Sequence, residues 1–249
     1  MKDVYVVGRN PVLELLKAKK EIDKIYVLKG DTKGSIKKII AKAKDRRIVV
    51  QEVDKERLEK VSNGENHQGV AALVTGFKYS SLDDVVGEAR RLDEEPFIVI
   101  LDEIEDPQNL GAIIRTCECA GVHGVVIPKR RSARVNQSVY KASAGAVNHI
   151  MVAEVTNVSD TIETLKDEGL WIYGADMEGG NYYYQEDLTD GIGLVIGNEG
   201  KGISRLVKEK CDVLVKIPMF GDVSSLNAST SAAILIYEVI RQKNEEKKQ

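Results

Sequence analysis

Gly193-Leu194-Val195-Ile196-Gly197-Asn198-Glu199-Gly200-Lys201-Gly202-Ile203 reads as an apolar strand ending at Ile196, a glycine-rich loop, and the approach to a helix. No position of that strand carries a polar side chain, which is the pattern of a strand covered on both faces. Comparable runs recur at residues 97–101, 124–127, 170–173 and 213–217, with helical patterns between them at 110–120, 159–167, 204–210 and from about 225 to 243. The alternation predicts an α/β fold with a parallel sheet, whose ligands belong in the loops beyond the carboxyl ends of the strands. The glycine loop is not a P-loop, because Gly202 is followed by Ile203 rather than lysine. The turn after residues 97–101 holds no G-x-G-x-x-G either. Nucleotide hydrolysis and hydride transfer therefore lose their usual sequence support.

Two other strand ends carry chemistry-bearing residues. After 97–101 comes Asn109-Leu110-Gly111-Ala112-Ile113-Ile114-Arg115, with Asn109 where a helix should start and Arg115 on its first turns. After 213–217 come Pro218, Met219 and then Ser224-Ser225-Leu226-Asn227-Ala228-Ser229-Thr230-Ser231-Ala232-Ala233, a helix start made of small and polar residues. Taken singly, Asn109 reads as a helix cap and Arg115 as half of a surface ion pair. Taken together, three such segments at strand ends read as one site.

The amino-terminal part has a different texture. Strands are expected at 4–7, 25–28, 48–53 and 70–74, with helices between them opened by Asn10-Pro11 and by Asp54. This predicts a small α/β domain over residues 1–76, a charged linker over 77–95 with one helix at 82–92, and a larger domain over 96–249. Overall the 249 residues carry 36 Lys and Arg against 39 Asp and Glu, a net charge of −3. The charge is divided unevenly: residues 1–76 sum to +6 and the remainder to −9. A basic module able to approach phosphate is thus joined to an acidic body with another task. A hydrophobic content of 43% allows a sizeable core. No apolar run is long enough to span a bilayer, and Met1-Lys2-Asp3-Val4 does not begin a signal peptide. Cys117, Cys119 and Cys211 match no zinc or redox spacing, so no metal is expected and a reduced, cytoplasmic setting is.

In this order the three segments, at 106–115, 196–203 and 217–233, resemble the motifs of the SpoU (TrmH-type) branch of the SPOUT superfamily of RNA 2′-O-methyltransferases. Ala142-Ser143-Ala144-Gly145-Ala146 matches between the first two. Val7-Gly8-Arg9-Asn10-Pro11-Val12 and Asn66-His67-Gln68-Gly69-Val70-Ala71 are similar to that family's L30e-like substrate-binding domain. The resemblance covers nearly the whole chain. It implies a SPOUT domain with a deep trefoil knot, a homodimer through the carboxyl-terminal domain, and S-adenosylmethionine held by Gly197, Ile217, Met219 and Leu226. It also implies structured RNA as substrate, most often a guanosine of large-subunit (23S) ribosomal RNA, with transfer RNA or a non-catalytic RNA-binding role as alternatives. No histidine lies in the three motifs. Arg115 is then the residue that clamps a phosphate or takes the ribose proton. Asn109 would orient it or the nucleotide, Glu199 and Asn227 would brace the site, and Ser225, with Ser224 beside it, would contact substrate or cofactor. The basic residues of 1–76, with Lys129, Arg130, Arg131 and Arg134, would face the RNA.

Overall fold

The computed structural model describes residues 4–18, 22–31, 34–74 and 76–246. The chain packs as two units, Met1–Lys78 with Arg134–His149, and Tyr79–Ala133 with Ile150–Gln249.

The first unit runs β1 (Val4–Val7), α1 (Arg9–Lys17), β2 (Lys24–Leu28), α2 (Ser35–Asp45), β3 (Val49–Val53), α3 (Lys55–Ser62) and β4 (Val70–Val74). Its sheet has the order β1-β4-β2-β3, with only β2 and β3 parallel. Asp54 caps α3 as expected, accepting from the Arg57 amide at 2.8 Å. Asn10 does not cap α1. The helix begins two residues earlier, at Arg9 after Gly8, whose φ of +97° suits glycine far better than any side-chain-bearing residue.

The second unit continues with α4 (Leu82–Leu92), β5 (Phe97–Leu101), α5 (Pro107–Cys119) and β6 (Gly124–Pro128). The short α6 (Gln137–Ala142), which belongs to the first unit, follows in the chain, and the second unit resumes with β7 (Met151–Val155), α7 (Val158–Asp167), β8 (Trp171–Ala175) and β9 (Asn181–Tyr182). The chain closes with β10 (Ile192–Ile196), α8 (Arg205–Lys210), β11 (Val213–Lys216) and α9 (Ala228–Glu246). All pairings in this seven-stranded sheet are parallel, in the order β7-β6-β5-β10-β8-β11-β9. Every residue of β5, β6 and β10 is buried, as continuous apolar runs require when helices cover both faces. Ile98, Ile100, Val126, Ile172 and Val195 form the centre of one cluster. Cutting one of these isoleucines to alanine costs roughly 2–5 kcal/mol.

Two stretches sit differently from the expected boundaries. Helix α4, read as part of a linker, buries Val85 and Val86 in the second unit's core, and its capping box of Ser81 and Asp84 fixes its start. Residues 134–149, read as part of the larger domain, pack in the first unit. There Gln137 Nε2 donates to the Ser62 carbonyl at 2.8 Å, and Lys141 pairs with Glu65 at 3.2 Å. Gly145, at φ +90°, leaves space that a Cβ would lose to Glu14, 2.6 Å away.

Strands β7 and β9 have no counterpart among the expected ones. The first is half-buried and interrupted by Glu154, and the second is two residues long, so neither forms a continuous apolar run.

Candidate active site

Strand β10 lies between β5 and β8, so the loops after three strands of quite different sequence position meet at one edge. The glycine loop after β10 is pinched shut. Asn198 and Gly202 exchange backbone hydrogen bonds of 3.0 and 2.8 Å. A Cβ on Gly197 would stand 2.2 Å from the Gly202 carbonyl carbon, so only glycine fits there. The Asn198 side chain holds the loop from both sides, donating to the Glu103 carbonyl at 3.0 Å and accepting from the Gly200 amide at 3.0 Å. Beyond it, buried Asp102 at the end of β5 accepts from the Ser204 amide at 2.7 Å and anchors the entry to α8.

Glu199 projects from this loop to the start of α9. Its Oε1 accepts from Asn109 Nδ2 at 2.8 Å, from Asn227 Nδ2, and from the Ala228 amide at 3.2 Å. Asn227 Nδ2 also donates to Asn109 Oδ1 at 3.0 Å, closing a triangle of three side chains. A carboxylate at a helix amino terminus is further favoured by the helix dipole. Asn227 is the true cap of α9: its Oδ1 accepts from the Ser229 and Thr230 amides at 2.9 and 3.4 Å. The helix therefore starts at Ala228, three residues later than its small-residue pattern suggests, because 225–227 belong to the loop. Asn109, likewise, is inside α5 and buried. The cap there is Asp106, followed by Pro107 at the first helical position.

A cavity of about 510 Å³ opens beside this triangle. Gly197, Ile217, Met219, Ser225 and Leu226 all line it, together with Glu199. Asn109, Asn227 and Arg115 do not. Arg115 is exposed on α5 and makes no hydrogen bond or ion pair among the described residues. Asn109 gives one amide proton to Glu199 and its carbonyl oxygen accepts from Asn227.

The far wall was not legible in the sequence. Asp176, just beyond β8, and Glu178 both bind Lys208 Nζ at 3.0 Å. These hydrogen bonds hold the ammonium above its ordinary pKa, the Asp176 contact foremost. Asp176 Oδ1 also accepts from the Glu178 amide at 2.8 Å. No motif flanks Asp176, and its position at a strand end was the sole available signal. Cys211, on the α8–β11 turn, is buried enough that its thiol is pushed up to about 12, which makes it a packing residue rather than a nucleophile. Among the described residues no three His, Cys, Asp or Glu side chains converge as a metal site would require.

The cavity is of ligand-pocket size and mixes apolar walls with a few fixed polar groups. Comparison with known proteins then decides the family. Residues 96–237 match the SpoU rRNA Methylase family. The chain belongs to that family. Residues 5–80 match a second one, described as RNA 2′-O ribose methyltransferase substrate binding. A protein of Bacillus subtilis assigned to the TrmH family of tRNA/rRNA methyltransferases, YacO, is 46% identical over 96% of each chain. Among solved structures, the SpoU methyltransferase AviRb of Streptomyces viridochromogenes, in complex with the cofactor AdoMet, superposes with a TM-score of 0.83 at 24% identity. That match covers 97% of this chain and 91% of AviRb. An rRNA methyltransferase of Sinorhizobium meliloti gives 0.80 at 25% identity, over 96% of this chain and 87% of its own. This SpoU chain is therefore an RNA methyltransferase, and two of its three motif segments, 196–203 and 217–233, line the cavity, while the first reaches it only through the bond from Asn109 to Glu199.

Proposed function

We propose that the protein transfers a methyl group from S-adenosylmethionine to a ribose 2′-hydroxyl of structured RNA, a guanosine of large-subunit ribosomal RNA being the preferred target. The observation that carries this is the cavity lined by the loops after β8, β10 and β11 in a chain of the SpoU family.

The cavity suits the cofactor. Its volume lies within the roughly 300–1,000 Å³ usual for small-molecule sites. Ile196, Ile217, Met219 and Leu226 offer apolar contact, and Glu199 adds a carboxylate to the wall, whereas Asp176 and Glu178 are paired with Lys208. When bound, S-adenosylmethionine supplies an electrophilic methyl on a sulfonium. Gly197, Ile217, Met219 and Leu226 hold it through the loop backbone and apolar side chains. The Asn109–Glu199–Asn227 triangle keeps the loops at fixed spacing, which is where the rate advantage of an oriented in-line transfer originates. Ser225 faces the same space and contacts the cofactor or the acceptor ribose. Arg115 clamps an RNA phosphate through its guanidinium fork, which is free of protein partners among the described residues. A guanidinium with a pKa above about 12 serves better as a clamp than as a base.

The substrate-binding match over residues 5–80 supports a ribose acceptor, and the near-complete superposition on an rRNA methyltransferase supports ribosomal RNA. The strand order β5-β10-β8, in which a late strand enters between two earlier ones, supports the knotted threading of the family. The protein acts as a homodimer through α9, on which Tyr237 is 51% exposed beside the intermediate Ile234 and Ile240. It works in the cytoplasm. No described helix is long and apolar enough to cross a membrane, and its three cysteines are free.

The test combines calorimetry with S-adenosylmethionine and methylation of separated ribosomal and transfer RNA, followed by alkaline-ladder mapping. A 2′-O-methyl group blocks cleavage at its own position. A gap in the ladder of ribosomal RNA is expected. Label on a base, or on transfer RNA alone, would overturn the assignment.

A further inference from the structure

We propose that Phe220 is the platform on which the base of the target nucleotide stacks while its ribose is methylated. The inference rests on reading the cavity as the methyl-donor pocket.

Phe220 is 96% exposed, whereas Phe97 is 2% exposed in the core. Burying such a ring is worth roughly 1.5–3 kcal/mol, so leaving it in water forgoes a large gain. The loop that carries it is anchored at both ends. Strand β11 stops at Lys216, and Asn227 is tied to Asn109 and Glu199. Between these anchors Met219, Ser225 and Leu226 turn to the cavity, while Phe220 and Val223 remain in solvent. The exposed ring thus immediately follows a residue of the cavity wall.

Geometry of the acceptor selects the occupant. In a nucleotide the base is attached to the carbon next to the one bearing the 2′-oxygen. A ribose brought within reach of a methyl in this cavity therefore carries its base to the cavity rim. A base drawn out of an RNA stack loses its neighbours, and aromatic side chains replace them in single-stranded recognition. Other rings nearby are engaged. Tyr182, paired with Lys216 across the sheet, stacks on Tyr184 with centroids 5.5 Å apart, and the Lys216 ammonium lies over its face. Phe220 makes no ring contact among the described residues. Lys201 and Arg205, also lining the cavity, supply positive charge for the adjoining phosphates. Every base has a π-face, so this contact supplies affinity for an extruded base without choosing among the four.

The test uses the full chain with a ribosomal RNA transcript. Phe220→Ala is expected to raise KM for RNA about 30-fold, the middle of the range for one base stacked on one ring. The dissociation constant for S-adenosylmethionine should stay within about 2-fold of wild type. Phe220→Tyr and Phe220→Trp should restore KM, and Phe220→Leu should not. Rescue by leucine would make the contact merely apolar and overturn the stacking role. A matching loss of S-adenosylmethionine affinity would assign the ring to the donor pocket. A changed oligomeric state on sedimentation would assign it to a second copy of the chain. Wild type that fails to bind S-adenosylmethionine overturns the donor-pocket reading and this inference together, whereas normal wild-type turnover with an unchanged KM for Phe220→Ala overturns this inference alone.

Discussion

Glu199 accepts a hydrogen bond of 2.8 Å from the Asn109 side-chain amide, across 90 residues of chain. The same carboxylate oxygen accepts from Asn227 and from the Ala228 amide. One atom therefore joins the helix after β5, the loop after β10 and the start of α9.

Removing that atom should loosen all three. Glu199→Ala leaves a buried asparagine without its acceptor, at an expected cost of about 1–2 kcal/mol. Differential scanning calorimetry should record this as a fall in Tm of about 2–8 °C. Affinity for S-adenosylmethionine should drop about 10-fold or more. A variant with wild-type Tm and affinity would show that the triangle does not hold the pocket.

The pinch at Gly197 allows a sharper contrast. Gly197→Ala forces a Cβ against the Gly202 backbone, 2.2 Å away, so the loop must open. Circular dichroism should remain native while calorimetry finds no binding of S-adenosylmethionine. Gly200→Ala is the control, because its Cβ would come no nearer than 3.7 Å, to Asn198 Oδ1, and binding should survive. Equal behaviour of the two variants would refute the pinch.

Arg115 separates folding from turnover. Its exposed guanidinium has no partner among the described residues, so Arg115→Ala should change stability by no more than about 0.5 kcal/mol. Single-turnover methylation should nevertheless fall about 100-fold or more. Arg115→Lys should recover only part, since an ammonium lacks the planar fork that grips phosphate. Near-normal rates for the alanine variant would remove Arg115 from the mechanism.

Acid should weaken the second unit through His123. The ring is buried, and its Nδ1 accepts from the Phe97 amide at 3.0 Å, with Glu94 3.3 Å from Nε2. Burial pushes its pKa below the ordinary value, outweighing the nearby Glu94 carboxylate. An unfolded histidine takes up a proton near pH 6.5, whereas the folded one resists. The contribution is complete above about pH 6.5 and is lost as the pH falls towards the folded pKa. Urea midpoints should therefore decline as the pH falls from about 7 to below about 6, and His123→Gln should flatten that slope. A midpoint that rises in this window would contradict the assignment.

Sequence by itself determined much of the local structure. Continuous apolar runs marked β5, β6 and β10, and Asp54 marked the start of α3, because burial and capping are governed by neighbours along the chain. It also brought Asn109, Glu199 and Asn227 into view, through three segments at strand ends whose order resembles the SpoU motifs. The local role of Asn109 was misread. Asn109 looked like a cap, but Asp106 caps α5, and Asn109 instead spends its amide on two distant partners.

Only the tertiary structure decided which loops meet. Strand β10 enters between β5 and β8, and that order brings Glu199 within hydrogen-bond reach of residues 90 and 28 positions away. The same holds for Asp102 with Ser204, for the Asp176–Lys208 wall, and for residues 134–149, which pack in the first unit. Periodicity records which face of an element is buried. It carries no record of strand order, because that is settled by how the helices cover a whole sheet, and hydrogen bonds between distant loops follow from that packing.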